Sequence, residues 1–358
     1  MALSWAHGRE LTPQRLWPLL REAGGPEAIL ALPETELARL LGSGDRARAV
    51  LASAGDAGAE RWAAEIERSG MRIVTAFEPE YPPLLTEIAD PPFALFTVGN
   101  LDRWKLPAVA IVGSREATRY GRDVAAALAR ELSGVGVCVV SGFARGVDAA
   151  AHEAALDGPG GTIAVLGCGL DVDYPREHVR LKQALAGRQL LLSEFPPGTE
   201  PHPGNFPVRN RVIAGLAAGV VVVEASRRSG SLITARLAND FGRDVFAVPG
   251  SIFSPTSMGT HELLRDGAIL CRGADDVFAE LFPSIGGARA ASPPAPPAEL
   301  SATARRLLGL LQGADATTPE ELSQETDLPA ATILAALFEL EEAGLAGSDE
   351  TGRYNLRR

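Results

Sequence analysis

Residues 206–234 combine side chains that suit a sugar-phosphate backbone. The candidate ligand-binding residues in this segment are Phe206, Arg209, Asn210, Arg211, Ser229, Gly230, Ser231 and Thr234. An aromatic ring can stack a base, arginine forks bind phosphate oxygens, and the N-terminus of a helix attracts an anion. This grouping indicates a nucleic-acid backbone as the ligand rather than a small reactive metabolite.

Residues that could catalyse a reaction are scarce. Asp148 and His152 are four positions apart, but neither a nucleophile elbow nor a cluster of metal ligands accompanies them. We therefore interpret them as a carboxylate at a helix start and a locally hydrogen-bonded histidine. Glu224 ends a buried strand, and we expect it to orient backbone amides or one of Arg209 and Arg211. The sequence predicts no catalytic residue, no metal and no cofactor.

Short, β-branched runs alternate with helical stretches through the middle of the chain. The predicted strands are 108–112, 137–140, 162–166, 189–192, 220–223 and 245–248. The predicted helices are 118–133, 147–156, 176–186, 208–217 and 231–241. Strands buried on both faces and joined by helices predict an α/β fold with a doubly wound, Rossmann-like parallel sheet.

Ligands of such a sheet bind beyond the carboxyl ends of its strands. Arg115 follows the first of these strands, and Arg145 projects from the turn after the second. The segment Gly113-Ser-Arg115 keeps a glycine for close approach but lacks the Gly-x-Gly-x-x-Gly fingerprint, which weakens the case for dinucleotide binding. Arg115 and Arg145 therefore join the candidate residues at this edge.

Composition limits the kind of site that the chain can carry. The 358 residues have a net charge of −11, which argues against a surface coated in basic groups, so a nucleic-acid site must be local. The three cysteines are far apart in apolar runs, which argues against disulfides and zinc. No long apolar stretch and no signal-peptide pattern is present, so we expect a cytoplasmic protein without a membrane anchor.

Changes in composition divide the chain into four parts. Residues 1–75 predict a small helical domain of the SAM or helix-hairpin-helix kind, and 76–283 hold the Rossmann-like sheet. Residues 284–298 form a Pro/Ala linker, and 299–358 read as three helices and a hairpin, the order of a winged helix. That last part carries five basic and eleven acidic side chains.

Several motifs together resemble the DNA-processing protein A family, DprA or Smf. They are Tyr81-Pro-Pro-Leu-Leu, Asp90-Pro-Pro, Ile111-Val-Gly-Ser-Arg, Ser141-Gly-Phe-Ala-Arg-Gly-Val-Asp, Ala164-Val-Leu-Gly-Cys-Gly, Phe206-Pro-Val-Arg-Asn-Arg and Ser229-Gly-Ser-Leu-Ile-Thr-Ala. The resemblance covers about 75 to 283 and, more loosely, both ends. It implies a homodimer that binds single-stranded DNA and loads RecA onto incoming strands during natural transformation.

The resemblance also implies which residues hold the strand. They are Arg115, Arg145, Phe206, Arg209, Asn210, Arg211 and the turn from Ser229 to Thr234. Relatives often have lysine at position 145, so Arg145 keeps the charge and changes the geometry of its hydrogen bonds.

Two other functions stay open on the sequence alone. A Rossmann-like nucleotide phosphoribohydrolase of the lysine-decarboxylase-like group also has a Gly-rich turn and a glutamate after a strand, but its Pro-Gly-Gly-x-Gly-Thr signature is missing. The second open function is a regulator that recognises duplex DNA through its winged helix. The third helix, 329–343, contains Glu339, Glu341 and Glu342 and no Lys or Arg, which is unsuited to the major groove and favours contact with protein.

Overall fold

The computed structural model describes residues 13–53, 57–285, 300–311, 317–343, 345–349 and 352–356. The chain divides into two compact units, Met1–Gly286 and Gly287–Arg358. Within the described ranges, no helix combines the length and the apolar character needed to cross a membrane.

In the described part of the chain, five helices precede the sheet. They are α1 (Pro13–Ala23), α2 (Pro26–Ala31), α3 (Glu34–Leu41), α4 (Gly44–Ser53) and α5 (Ala57–Ser69). Leu20, Ile29, Leu37 and Val50 form the shared core of α1 to α4, and Phe93 from the sheet segment packs into it. The helical segment therefore shares a compact unit with the sheet.

Nine strands form a single sheet in the described part of this unit. They are β1 (Arg72–Thr75), β2 (Ala94–Gly99), β3 (Ala108–Val112), β4 (Cys138–Ser141), β5 (Thr162–Val165), β6 (Leu190–Ser193), β7 (Gly219–Val222), β8 (Asp244–Ala247) and β9 (Ile269–Leu270). Their spatial order is β1-β2-β6-β5-β4-β3-β7-β8-β9. The chain runs outward from β3 to β6 and then returns to place β7 on the other side of β3. That point is the topological switch point of the sheet.

Helices cover both faces of the sheet. They are α6 (Pro83–Thr86), α7 (Arg119–Gly134), α8 (Val147–Ala155), α9 (Val179–Arg188), α10 (Asn205–Leu216), α11 (Ser231–Asp240), α12 (Met258–Arg265) and α13 (Ala274–Leu281). Alternate residues of the central strand β3 face opposite layers. Ala110 packs in the core under α10 and α11, whereas Val109 and Ile111 pack in the core under α7 and α8.

The predicted α/β fold with a doubly wound sheet is confirmed, and its six predicted strands lie within one residue of β3 to β8. Three strands lie beyond that prediction. β1 and β2 add an antiparallel pair at one edge, where β2 runs against β6, and β9 extends the other edge. β1 falls in the range 1–75 that the sequence assigns to helices. Its four residues are too few to show a period of two.

The second unit has the element order expected of a winged helix. It contains α14 (Ala302–Leu311), α15 (Pro319–Thr326), α16 (Ala330–Glu342), β10 (Ala346–Ser348) and β11 (Tyr354–Leu356), the last two paired antiparallel. Thr318 and Glu321 form a reciprocal capping box that fixes the start of α15. Leu307, Leu322, Ile333 and Leu337 form the core.

Candidate functional site

A groove of about 640 Å³ lies over the carboxyl ends of the strands at the switch point. Loops after β3, β4 and β7 and the first turns of α10 and α11 form its walls. The predicted strand-binding residues that line it are Arg115, Arg145, Phe206, Arg209, Asn210, Ser229, Gly230, Ser231 and Thr234. The fold thus gathers residues that are more than a hundred positions apart in the chain into one surface, and Arg211 is the member of the set that does not line it.

Phe206 occupies the first turn of α10, which begins at Asn205 rather than at 208 as the sequence predicts. Its ring is half-buried and packs against Gly167, where an added Cβ would lie 2.8 Å from the Phe206 Cδ1 atom. The Tyr174 ring lies 5.6 Å away, and the Arg115 guanidinium carbon lies 5.0 Å from the Phe206 ring centroid. Part of the ring is therefore fixed by packing and part remains available to a ligand.

Three arginines give the groove its exposed positive charge. Arg115 and Arg228 are exposed and make no ion pair among the residues that the structure describes. The Arg145 Nε atom lies 3.6 Å from a Glu177 carboxylate oxygen, and both side chains are more than half exposed. Such an exposed pair is weak and can exchange for a phosphate.

The loop that presents Arg145 is tied to the loop that presents Arg115. Gly146 has a φ of 78° and lies so close to Ser114 that an added Cβ would be 2.3 Å from its carbonyl oxygen. The amide of Val147 donates a hydrogen bond of 3.2 Å to that same oxygen. A side chain at position 146 would collide with Ser114, so only glycine fits where the two loops meet. The backbone at Arg115 and Arg145 is therefore held at fixed places on one wall.

The Arg209 guanidinium is buried at the floor of the groove and is not an exposed phosphate-binding group. The residue is only 3% exposed, and its Nη1 atom donates to the carbonyl oxygens of Gly142 and Val165. Burial lowers the pKa of its guanidinium to about 10, and the nearby Asp148 carboxylate opposes that shift. Arg209 thus adds a fixed positive charge at the floor of the groove and joins the ends of β4 and β5.

Arg211 is placed away from the groove, contrary to the expectation that it binds a phosphate. The residue is 4% exposed, and its side chain is held by Glu194 at 2.6 Å and by Asp90 at 3.2 Å. These two carboxylates satisfy its charge inside the protein. Arg211 therefore fixes α10 to the ends of β6 and to the Asp90-Pro-Pro segment.

The N-terminus of α11 supplies the opposite wall. The amides of Leu232 and Ile233 already donate to the carbonyls of Ser229 and Gly230, at 3.2 and 3.1 Å. Ser231 and Thr234 are buried, whereas Gly230 is exposed and Ser229 is half-buried. The positive end of the helix dipole therefore faces the groove mainly through Gly230 and Ser229.

Asn210 joins α10 to this wall. Its side-chain amide donates a hydrogen bond of 3.2 Å to the carbonyl oxygen of Gly230, and its carbonyl oxygen accepts one of 3.3 Å from Arg209 Nε. Asn210 is 8% exposed. Its two hydrogen bonds fix the position of Arg209 relative to the turn at Gly230.

Glu224 holds the start of α7, as expected of a carboxylate that orients backbone amides. Its two oxygens accept hydrogen bonds from the Thr118 amide at 2.9 Å and the Thr118 hydroxyl at 2.7 Å. The Thr256 hydroxyl donates a third, at 3.1 Å. Glu224 is buried and does not line the groove.

Asp148 lies at the start of α8 and His152 is hydrogen-bonded within the protein, as the sequence predicts. The Asp148 carboxylate accepts a hydrogen bond of 3.2 Å from the Ala144 amide, and burial raises its pKa against the opposing charge of Arg209. His152 is fully buried with Nδ1 2.7 Å from the Thr162 hydroxyl. Among the described residues, no group of three or more His, Cys, Asp and Glu is arranged to hold a metal ion.

Of the basic and aromatic residues that line the groove, two are absent from the sequence-based set. Arg228 directly precedes the Ser229 turn, so its position after a buried strand was a usable signal. Tyr174 comes from the loop after β5, and only the tertiary structure shows that its ring reaches Phe206.

The fold and the groove define a class: a Rossmann-like α/β protein whose switch point holds an aromatic ring among arginines, with a winged helix as a second unit. Residues 72–282 match the family described as DNA recombination-mediator protein A, and residues 291–348 match the DprA winged helix domain. The chain belongs to the DNA recombination-mediator protein A family, known as DprA or Smf.

Individual relatives agree with this assignment. The DNA processing protein DprA of Streptococcus pneumoniae is 50% identical over 200 residues, which are 56% of this chain and 71% of that protein. Protein Smf of Synechocystis is 35% identical over 327 residues, and the match covers 82% of this chain and 82% of that protein.

Solved structures show the same fold. The X-ray structure of DprA from Streptococcus pneumoniae has a TM-score of 0.69 and 40% identity, covering 77% of this chain and 95% of that chain. The Helicobacter pylori DNA processing protein A, described for its single-stranded DNA binding mode, has a TM-score of 0.54 and 33% identity, covering 60% and 96%.

Proposed function

We propose that this protein binds single-stranded DNA in the groove at the switch point. The observation that carries the proposal is the half-buried Phe206 ring, fixed at one side by Gly167 and bordered by Arg115. An aromatic ring can stack any base, and the arginines around it can hold the backbone on either side. The described single-strand binding mode of the Helicobacter pylori relative supports the same ligand.

The residues in and around the groove have two kinds of role in this proposal. Arg115, Arg145 and Arg228 bind phosphates from the walls, and Phe206 stacks a base with little selection for its identity. Gly230 and Ser229 present the N-terminus of α11 to another phosphate. The buried residues hold these groups in place: Asn210 and Arg209 fix the floor, and Arg211 fixes α10.

We further propose that the protein acts in the cytoplasm as a homodimer that loads RecA onto incoming strands during natural transformation. The family name, a mediator of DNA recombination, supports this role. Two linked grooves would raise apparent affinity through effective concentration. That effect explains how a protein with a net charge of −11 could hold DNA tightly.

The two alternative functions have less support. A phosphoribohydrolase would need Glu224 free to act on a substrate, but both of its oxygens are engaged by Thr118 and it lies outside the groove. A duplex-reading regulator would need a basic third helix, but the exposed face of α16 presents Leu334 and Phe338. We propose that the protein is not an enzyme.

Fluorescence anisotropy with a single-stranded oligonucleotide and a blunt duplex of the same sequence tests the proposal. We expect clear preference for the single strand at physiological salt, because bases must be unpaired to stack on Phe206. Equal affinity for both forms would contradict the stacking model. A nucleotide-hydrolysis assay on the same preparation would detect the alternative activity.

A further inference from the structure

The loop between β8 and α12, residues 248–257, exposes two large apolar side chains at its tip. Ile252 is 78% exposed and Phe253 is 90% exposed, which makes Phe253 the most exposed of the large hydrophobic residues in the described part of the chain. Single exposed apolar residues are common on protein surfaces, but two adjacent ones at a loop tip are not explained by packing.

This loop is firmly held rather than loose. The Tyr120 hydroxyl donates a hydrogen bond of 2.9 Å to the Pro249 carbonyl, and His261 Nε2 lies 3.1 Å from the Gly250 carbonyl. The amide of Phe253 itself donates to the Ser251 hydroxyl at 3.2 Å. The Phe253 ring is therefore presented to solvent by a loop whose two ends are fixed.

The same loop is joined directly to the wall of the groove. The Ala225 amide donates a hydrogen bond of 2.7 Å to the Thr256 carbonyl, and the Gly259 amide donates one of 2.7 Å back to the Ala225 carbonyl. Ala225 immediately precedes Ser226, which lines the groove together with Arg228. The loop that carries the exposed ring is thus anchored to the segment that leads to the exposed Arg228.

Strand order gives the span between the two aromatic residues. Phe206 packs against Gly167, which follows β5, and Phe253 follows β8, four inter-strand steps away. At about 4.8 Å per step this separation is about 19 Å. It corresponds to about five or six nucleotides at the B-form spacing of about 3.4 Å, and to fewer in an extended strand.

We propose that Phe253 is a second base-stacking residue, which receives the single strand as it leaves the groove past Arg228. Ile252 supports it by contact with the adjacent sugar or base. The inference rests on the proposed function and extends it, because the strand path would then continue from the switch point onto the loop after β8. The combination of an exposed ring with a neighbouring arginine suits single-stranded DNA, since the bases supply the apolar faces and the backbone supplies the charge.

Anisotropy with labelled oligothymidylates of increasing length tests this path on the full chain. We expect wild type and Phe253→Ala to bind the shortest strands alike and to diverge once the strand reaches the loop. The expected loss is about fivefold to 140-fold, equivalent to about 1–3 kcal/mol. Phe253→Trp should retain the affinity for long strands. Phe338→Ala, which removes an exposed aromatic ring from the other unit, is the matched control and should behave as wild type.

The outcomes separate this inference from the proposed function. If wild type binds no oligonucleotide of any length, the proposed function itself fails. If wild type binds and Phe253→Ala matches it at every length, the second stacking residue is refuted. An equal loss at every length would also refute it. A lower sedimentation coefficient for Phe253→Ala, with unchanged length dependence, would assign the loop to contact with a second copy of the chain instead.

Discussion

At the scale of single residues, Phe206 is expected to contribute affinity without contributing charge. Phe206→Ala should weaken binding of single-stranded DNA by about 1–3 kcal/mol, because one stacked base is lost. The dependence of affinity on salt should stay unchanged, since no phosphate contact is removed. Anisotropy titrations at several salt concentrations measure both quantities. Phe206→Tyr is the control and should keep most of the affinity.

Arg115 should show the opposite behaviour. Arg115→Ala should weaken binding and reduce the salt slope by about one unit, because one phosphate contact and its released counterion are lost. The same titrations measure it. Arg188→Ala is the matched control, since Arg188 is an exposed arginine that pairs with Asp157 and does not line the groove. A reduced slope in both variants would mean that the effect reflects overall charge.

Arg211 should affect stability instead of binding. Arg211→Ala leaves Glu194 buried without its partner at 2.6 Å, and removal of one member of a buried pair costs about 3–5 kcal/mol. Urea unfolding should show that loss as a lower midpoint with an unchanged slope. If Arg211→Ala were as stable as wild type but bound DNA more weakly, the role of Arg211 would be to bind DNA and not to stabilise the fold.

The sequence identifies the groove residues well but does not separate Arg209 from Arg211. Both are arginines in one motif, yet they are about 200° apart around a helix with 3.6 residues per turn. The two side chains therefore leave α10 on different sides and cannot both contact a ligand in the groove. The acidic partners of Arg211, Asp90 and Glu194, are far away in the chain, so the buried ion pair is visible only in the folded structure.

At the scale of elements, β3 to β8 were predictable from the sequence, whereas β2 and the edge strands β1 and β9 were not. β3 to β8 are short runs rich in Val, Ile and Leu, and such runs arise because helices cover both faces of the sheet. β1 and β9 have four and two residues, and Val74 is the one buried residue among them. Their pairing depends on neighbours brought in by the rest of the fold.

The packing of α8 on β5 predicts a pH dependence of stability. The Thr162 hydroxyl donates to the Val139 carbonyl at 2.6 Å, so it accepts its other hydrogen bond from the Nδ1–H of His152. Burial lowers the pKa of His152 to about 3, against about 6.5 in the unfolded chain. Between these values the unfolded state binds more protons than the folded state.

The stability that neutral His152 contributes is therefore complete above about pH 6.5 and is lost as the pH falls, by up to about 1.4 kcal/mol per pH unit. His152→Gln should remove this part of the slope, because an amide does not titrate in this range. Urea unfolding at several pH values measures it. His202→Gln, at an exposed histidine, should keep the wild-type slope.

At the scale of the whole molecule, charge is distributed so that the proposed DNA binding would be local. The net charge is −11, and the winged-helix part carries five basic and eleven acidic side chains. The groove, in contrast, gathers Arg115, Arg145, Arg209 and Arg228 around two acidic residues, Glu116 and Asp148. We therefore expect a DNA strand to be attracted at the switch point and repelled by much of the remaining surface.

Deletion of residues 287–358 should leave a folded protein that still binds single strands. The chain divides into compact units at this boundary, and the exposed face of α16 has Leu334 and Phe338 where a phosphate-binding helix would have Lys or Arg. Affinity, measured by anisotropy on both proteins, should change less than about tenfold, or 1.4 kcal/mol. Sedimentation must show that both have the same oligomeric state. A larger loss under that condition would mean that the winged helix contacts the strand through residues outside α16.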